Sequence, residues 1–339
     1  MSEAAPPAAA TGRPALRRFS LGGVNAGLSL LLLGLVVLFT LMLGQRFLSL
    51  GTLQDLGFQL PELGILSLAM MVTLLAGGLN LAIIATANLC ALTMGHLLTT
   101  LPAGASGAGW VGAIVVSLLA GFVVAAVIGA VTGYVIAYLG VSPILATLGT
   151  MSVVKGIAIG LTRGGIISGF PAPIVFIGNG VILQIPVGLI VLVACAVPLA
   201  IMLNRSPFGV TLYMLGSNER ALRFSGVDTR WAVMKLYVLS SLLAAVAGVV
   251  MMARFNSANA SYGESYLLVT ILAAVLGGVD PYGGVGKVGG LVLALLILQV
   301  ISSAFNLLGF SQFLTLAIWG GVLLGTSFVE RRLGRWLRG

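Results

Sequence analysis

The chain has 339 residues, of which 59% are hydrophobic and 7% are charged, with a mean hydropathy of +1.15. Soluble globular proteins carry about 25% charged residues, so a cytosolic enzyme, a nucleic-acid-binding domain and a disordered protein are excluded. The basic residues that give the formal charge of +9 lie in clusters beside apolar runs. This pattern is typical of proteins whose basic segments set their orientation in the membrane. The composition predicts an all-α, polytopic integral membrane protein.

Residues 1–22 are predicted to be a mobile cytoplasmic tail, residues 23–330 a single transmembrane domain, and residues 331–339 a basic cytoplasmic tail. A window of about 20 residues gives ten spans: 25–44, 62–79, 81–101, 110–138, 143–162, 185–203, 232–253, 264–280, 286–307 and 311–329. Because residues 80 and 141–142 leave little room between spans, those junctions are predicted to be sharp turns or broken helices.

The distribution of basic residues orients this topology. With a cytoplasmic N-terminus, twelve basic residues lie in inner segments, whereas the outer segments hold only Arg46, Arg163 and Arg254. Cytoplasmic loops carry the excess of Lys and Arg, so both termini are predicted to be cytoplasmic and the number of spans even.

The segment 204–231 is the only long polar stretch between spans. Within it, Ser217–Phe224 is predicted to form a short amphipathic helix, which Ser217 or Asn218 caps and Gly226 terminates. Such a helix either docks a cytosolic partner or lies on the lipid headgroups. The residues alone leave both interpretations open.

The glycine-rich segment Gly277–Gly290 contains the pair Gly286-Lys287, which resembles part of a phosphate-binding loop. The pattern G-x-x-x-x-G-K-[ST] requires Gly at 281 and Ser or Thr at 288, but the chain has Pro281 and Val288. Tight turns and close helix packing explain these glycines better. Cys90 and Cys195 lie inside apolar runs and predict neither a disulfide nor a metal site.

Polar residues inside the spans are candidates for a transport path, because uncharged groups exchange hydrogen bonds with a neutral solute without trapping it. Each has an alternative role in hydrogen bonding between helices. Lys155 is predicted to be the one charge well inside a span, either for gating or coupling, or as a structural contact to carbonyls or headgroups. The path candidates are Asn80, Thr86, Asn88, Thr147, Thr150, Ser152 and Asn306.

Five ordered motifs carry a resemblance to a known family. They are Gly77-Gly78-Leu79-Asn80-Leu81; Pro143 with Thr147-Leu148-Gly149-Thr150; Ser206-Pro207-Phe208-Gly209; Gly216-Ser217-Asn218-Glu219 with Ala221 and Gly226; and Gly277-Gly278 with Gly283-Gly284-Val285-Gly286. In this order the chain resembles the permease subunits of bacterial ABC importers for simple sugars, the group that contains the ribose, xylose, arabinose and autoinducer-2 permeases.

The resemblance implies an assembly in the bacterial inner membrane. Two permease subunits, identical or different, form the path; two cytosolic ABC ATPase subunits hold ATP-Mg; and an extracytoplasmic sugar-binding protein delivers the substrate. The permease itself binds no cofactor. The family's Glu-Ala-Ala…Gly coupling motif matches the segment 218–226, which favours docking, and its middle residue departs from the pattern. The coupling residues are then Asn218, Glu219, Arg220, Ala221 and Gly226.

Two departures from the family concern the substrate. Asn80 stands where the family has an acid, and Tyr266-Leu267-Leu268-Val269 lacks two acids of the family pattern. The pairs Gly129/Gly133, Gly156/Gly160 and Gly321/Gly325 have G-x-x-x-G spacing, which predicts contacts between helices or between permease subunits.

The sequence therefore predicts a non-catalytic permease that imports a neutral monosaccharide or related polyol. A nucleoside or branched-chain amino-acid importer is the alternative within the class. An ion-coupled secondary transporter is disfavoured because the spans are nearly free of acids. A membrane-embedded enzyme is disfavoured because catalytic residue types are scarce.

Overall fold

The computed structural model describes residues 21–100, 108–311, 314–315 and 317–321. These residues are almost entirely helical. The elements in chain order are α1 (Leu21–Leu43), a 3-10 turn (Gly44–Arg46), α2 (Leu50–Leu75), α3 (Ile83–Thr100), α4 (Ala108–Ala137), α5 (Pro143–Thr162), β1 (Ile167–Ser168), α6 (Ala172–Asn179), β2 (Val181–Ile182), β3 (Ile185–Pro186), α7 (Val187–Arg205), α8 (Pro207–Phe224), α9 (Thr229–Phe255), β4 (Ser257–Ala258), α10 (Tyr266–Leu276) and α11 (Val288–Leu307).

Eight of the described helices are long and apolar enough to cross a membrane, which confirms an all-α polytopic membrane protein. They correspond to eight of the ten predicted spans. The predicted span 264–280 contains only the 11-residue helix α10, which is shorter than the 17 or so residues that a bilayer requires. The span 311–329 lies largely outside the described residues, although 314–315 and 317–321 are helical.

The boundaries of the second span differ from the prediction. The helix α2 begins at Leu50, where Ser49 caps it by accepting a hydrogen bond from the Thr52 amide, and it ends at Leu75 instead of residue 79. The sequence window missed its first turns because they are amphipathic and contain Asp55. The predicted tails lie outside the described residues except for 21–22, which belong to α1.

The helix α9 forms the centre of the molecule and packs against α2, α3 and α4. Glycines permit the closest of these contacts. A Cβ at Gly129 would lie 2.7 Å from Val238 Cα, and one at Gly133 would lie 2.9 Å from Met234 Cα. The pair Gly129/Gly133 therefore packs α4 against α9 within one chain, whereas Gly156, Gly160 and Gly321 face open space.

Helices α2, α3 and α9 are largely buried, whereas α1, α4, α5 and α7 expose most of their apolar surface. In lipid this exposed surface is stable, because hydrocarbon tails are as apolar as leucine side chains. The helices thus form a buried core surrounded by a lipid-facing shell.

The two ends of the bundle differ in structure. At one end, here called the strand end, β1 pairs with β4 in the antiparallel register Ile167↔Ala258, and β2 pairs with β3. At the other, the loop end, the turn 76–82, the helix α8 and the loop 277–287 meet.

The described basic residues are divided unequally between these ends. Arg46, Arg163 and Arg254 lie at the strand end. The larger group at the loop end comprises Arg205, Arg220, Arg223, Arg230, Lys235 and Lys287. The fold thus gathers the predicted inner and outer segments at opposite ends.

Candidate functional site

A short helix projects from the loop end at the predicted position. The helix α8 is interrupted at Asn218, whose backbone is extended (φ −163°, ψ 91°). The Asn218 side-chain oxygen accepts a hydrogen bond from the Ala221 amide at 3.0 Å, so Asn218 is the N-cap of a new helix. That helix ends before Gly226, which has φ +81°, a conformation that glycine adopts without steric cost.

The predicted coupling residues are therefore brought together on one exposed projection. Glu219, Arg220 and Ala221 are all exposed. Leu222 is 1% exposed and anchors the projection to the body of the protein, whereas Phe224 is 92% exposed. Burial of Leu222 fixes the orientation of the helix, and Phe224 remains available for contact.

Beside this projection lies a groove of about 580 Å³, the coupling groove. It runs between the turn 138–143 and the α8–α9 connection and contains Glu219, Arg223 and Arg230. The Arg230 guanidinium lies 5.7 Å from the centre of the Tyr138 ring, which is within the range of a cation–π interaction. The groove thus presents both charges and aromatic surface at the loop end.

The first part of α8 is joined to the ends of the neighbouring helices by four glycines, Gly77, Gly216, Gly283 and Gly284. At this glycine junction, the Gly284 amide donates to the Leu75 carbonyl at 2.8 Å. A Cβ at Gly216 would collide with that carbonyl, and a Cβ at Gly283 would lie 2.6 Å from the Gly77 amide nitrogen. Three backbone segments touch here because their side chains are absent.

The turn between α2 and α3 is held by side chains from α5 and α9. Asn80 is 2% exposed; its amide donates to Ser240 Oγ at 3.0 Å, and its oxygen accepts from the Ala82 amide. Thr147 on α5 donates to the Leu79 carbonyl at 3.2 Å. These path candidates are engaged in hydrogen bonds within the protein, and their role in transport stays a prediction.

A second group of candidates meets at a cavity of about 220 Å³, the Lys155 cavity. The Lys155 ammonium lies 2.8 Å from Glu264 Oε1. The Asn88 amide donates to the carbonyls of Ala260 and Tyr262. The structure thus gives Lys155 a carboxylate partner, which neither alternative for this residue had included.

The ion pair also changes the properties of Glu264. The hydrogen bond from Lys155 lowers the pKa of the Glu264 carboxyl below its ordinary value of 4.5, and partial burial opposes this shift. Both side chains are partly exposed, at 37% and 50%. Exposed pairs contribute about 0–1 kcal/mol to stability. The pair therefore adds little to the free energy of folding, and its main effect is to hold the two side chains in place at the cavity.

The remaining path candidates lie apart from one another. Thr86 is fully buried, and its hydroxyl has no hydrogen-bond partner among the described residues. Thr150 accepts from Thr132 at 3.2 Å, whereas Ser152 lies on the exposed face of α5 and donates to the Leu148 carbonyl. Asn306 lies at a separate cavity of about 270 Å³, the Asn306 cavity.

One buried charged group was missed from the sequence. Glu62 is 1% exposed and forms an ion pair with Arg254 at 2.5 Å, while the Tyr266 hydroxyl donates to the same carboxylate oxygen at 2.9 Å. The prediction that Lys155 is the one charge well inside a span is therefore wrong. Because α2 begins at Leu50, Glu62 lies inside the helix instead of at its mouth.

Comparison with known proteins identifies the family of the chain. Residues 53–327 match the family described as "Branched-chain amino acid transport system / permease component". The chain is 37% identical over 193 residues to the ribose import permease protein RbsC of Bacillus subtilis, which covers 56% of this chain and 60%, less than two thirds, of that relative. It is 29% identical to the autoinducer 2 import system permease protein LsrD of Yersinia enterocolitica, over 77% of this chain and 78% of the relative.

A third similar protein covers more of the chain. LsrD of Yersinia pseudotuberculosis is 27% identical over 88% of this chain and 89% of the relative. No solved structure matches the chain. Because the family match spans most of the sequence, the chain belongs to this ABC-importer permease family, and its relatives include simple-sugar permeases.

Proposed function

We propose that this chain is the membrane-spanning permease subunit of an ATP-driven importer that moves a neutral monosaccharide or related polyol into the cytoplasm. Two cytosolic ATPase subunits hold ATP-Mg, a second permease subunit completes the path, and an extracytoplasmic sugar-binding protein delivers the solute. The permease needs no cofactor of its own. The loop end and both termini face the cytoplasm, and the bilayer is the bacterial inner membrane.

The projection after Asn218 carries this proposal. Its extended residue, side-chain N-cap and terminal Gly226 isolate one short helix from the rest of α8. A helix that exposes Glu219, Arg220 and Phe224 while burying Leu222 is suited to insertion into a groove on a partner. A helix lying on headgroups would instead present a continuous apolar face to lipid.

The glycine junction supplies a mechanical route from this helix to the spans. Movement of the projection displaces the first part of α8, where the backbone at Gly216 lies against the backbone of the end of α2 and of the loop before α11. Backbone contact transmits a small displacement because no flexible side chain intervenes. Closure of the ATPase pair would then shift the spans as rigid bodies.

The chemistry of the interior supports an uncharged solute. The Asn306 cavity is lined by uncharged side chains among the described residues, and Lys155 is paired with Glu264. A zwitterionic amino acid would require opposite charges that are available to it. The Glu62 carboxylate is likewise engaged with Arg254, which argues against ion coupling at this acid.

The experiment compares two glycines that have the same backbone requirement. Gly226 and Gly44 both have positive φ, and neither has an atom within 4 Å of an added Cβ. Alanine at either position costs about 1–2 kcal/mol of local strain. We expect Gly226→Ala to abolish uptake of radiolabelled D-ribose, D-xylose and D-glucose and co-purification with the ATPase, whereas Gly44→Ala retains both.

A second variant removes a charge from the projection without straining its backbone. We expect Glu219→Gln to reduce ATPase co-purification while the permease remains at wild-type amounts in the membrane. If both Gly226→Ala and Glu219→Gln import solute and bind the ATPase normally, the projection is not the docking element. Accumulation of sugar by the purified permease with an ion gradient alone would refute the proposed function.

A further inference from the structure

We propose that the Asn306 cavity is a binding site for an uncharged, polyhydroxylated solute of about monosaccharide size. The cavity lies between α2, α10, α11 and the helical residues 314–315 and 317–321. This inference rests on the proposed function, because it assigns a place for the transported solute. The inference also goes beyond the proposed function, because it selects this cavity, whereas the other path candidates lie elsewhere in the bundle.

The size of the cavity suits a small ligand. Its volume is about 270 Å³, whereas pockets for drug-sized ligands begin at about 300 Å³. A cavity just below this range suits a ligand of about the size of a single sugar ring.

The described walls of the cavity combine apolar side chains with polar groups that carry no charge. The helix α11 places Gln299, Ser302 and Asn306 on one face, since they are spaced by three and four residues. Gln299 is 6% exposed and donates to Gln59 Oε1 at 2.9 Å. Amide and hydroxyl groups both donate and accept, so they can pair with sugar hydroxyls in either direction.

One donor at the cavity lacks a partner. The Trp319 indole nitrogen is buried and has no hydrogen-bond partner among the described residues, although Trp319 lines the cavity. A buried donor without a partner costs about 1–3 kcal/mol, and an oxygen of a bound solute would satisfy it. The rings of Trp319 and Phe310 also offer apolar surface to the C–H face of a sugar.

The ion pair that the sequence did not reveal fixes one wall of this cavity. The Tyr266 hydroxyl is held by Glu62, which is paired with Arg254. The Tyr266 ring lines both the Asn306 cavity and a shallower opening formed with Phe255, Ser257 and Tyr262. Because this opening lies at the strand end, the cavity lies on the side from which a binding protein would deliver the solute.

The test measures binding to the purified full chain in lipid nanodiscs, without ATPase or binding protein. Saturation-transfer NMR detects the weak affinity expected of a transport site. The neutral probes are D-ribose, D-xylose and D-glucose, and the charged controls are D-gluconate and D-glucosamine. We expect at least one neutral sugar to bind about tenfold more tightly than either charged control, because the cavity offers no partner for a charge.

The variants remove individual polar groups from the cavity. Asn306→Leu changes an exposed side chain and should leave the fold intact, while Trp319→Phe removes the indole N–H and keeps a smaller aromatic ring. Each should weaken sugar binding by about tenfold, the effect of one or two lost hydrogen bonds. The matched control Gln45→Leu replaces an exposed amide in the 3-10 turn and should bind as the wild type does.

The outcomes separate this inference from the proposed function. No binding by any neutral probe, equal binding of the charged controls, or wild-type affinity in both Asn306→Leu and Trp319→Phe would overturn the assignment of the cavity, even if ATP-driven uptake persists. Failure of the proposed function would instead appear as uptake that does not depend on the ATPase, and the binding experiment would still give its own result.

Discussion

The two ion pairs among the described residues differ in burial and therefore in their effect on stability. Glu62 is almost fully buried, so removal of Arg254 would leave a buried charge without its partner, which typically costs about 3–5 kcal/mol. Lys155 and Glu264 are both partly exposed, and their mutual attraction is screened by water. The first pair holds α2, α9 and α10 together, whereas the second positions side chains at a cavity.

The pair of Lys155 and Glu264 predicts a pH dependence. Because the folded-state pKa of Glu264 is lowered, its stabilising contribution is complete above the unfolded value near 4.5 and is lost as the pH falls through the folded value. We expect Glu264→Gln to lower the thermal unfolding temperature slightly at pH 7 and to have a progressively smaller effect as the pH falls below 4.5. Thermal unfolding of the purified protein from pH 7 to pH 3.5 measures this difference.

Two controls accompany this prediction. Asp55→Asn removes an exposed acid that has no ion-pair partner among the described residues, and its effect should not follow the same pH profile. The reversed pair Lys155→Glu/Glu264→Lys should recover the stability lost in either single variant. Failure of the reversed pair to recover it would show that each side chain acts separately.

At the scale of elements, the break between α2 and α3 and the kink in α8 meet at the glycine junction. A broken helix leaves backbone groups without intrahelical partners. Here the Gly284 amide donates a hydrogen bond to the Leu75 carbonyl. In the turn, the Asn80 side chain accepts from the Ala82 amide, and Thr147 donates to the Leu79 carbonyl. The breaks are therefore built into the packing of the loop end.

Replacement of Gly216 tests transmission through this junction. A Cβ there has no room between Leu75 and Gly284, so we expect Gly216→Ala to separate ATP hydrolysis from uptake while the ATPase remains bound. Local overpacking of this kind costs about 1–3 kcal/mol. The measurement is the ratio of sugar imported to ATP hydrolysed in proteoliposomes containing the full complex.

The matched control for this variant is Gly51→Ala. Gly51 is also helical, and no atom lies within 4 Å of an added Cβ. Its alanine variant should therefore import sugar with the wild-type ratio to ATP. An unchanged ratio in Gly216→Ala as well would contradict transmission through the glycine junction.

At the scale of the whole molecule, the glycine pairs divide into internal and outward-facing sets. Gly133 packs against Met234 inside the chain, whereas Gly156 on α5 has no atom within 4 Å of an added Cβ. We expect Gly133→Leu to destabilise the permease by more than 1–3 kcal/mol, the usual cost of about one or two extra methylenes in a packed core. Gly156→Leu should leave the monomer folded and weaken its association with the second permease subunit.

Chemical cross-linking in native membranes measures that association, and thermal unfolding measures the fold. Normal cross-linking of Gly156→Leu would exclude this face of α5 from the subunit contact. A lower thermal unfolding temperature of Gly156→Leu would show that the position is packed within the chain and would contradict the outward orientation.

Much of this protein followed from hydrophobic patterning, because any apolar run of about 20 residues has few alternatives to a membrane helix. The projection was also predictable, since an Asn before Glu219 and a Gly at 226 are local signals for the start and end of a helix. The first turns of α2 were not predictable from hydropathy, because they are amphipathic and contain the exposed Asp55.

The sequence by itself determined the class, the helical composition and the separation of basic residues, because each depends on side-chain chemistry within a short segment. The tertiary structure decided which polar groups meet: Glu62 with Arg254 across 192 positions, and Gln59 with Gln299 across 240. Their distance along the chain contains no local signal of contact. Only helix packing brings such residues into contact, and packing depends on shape across the whole bundle.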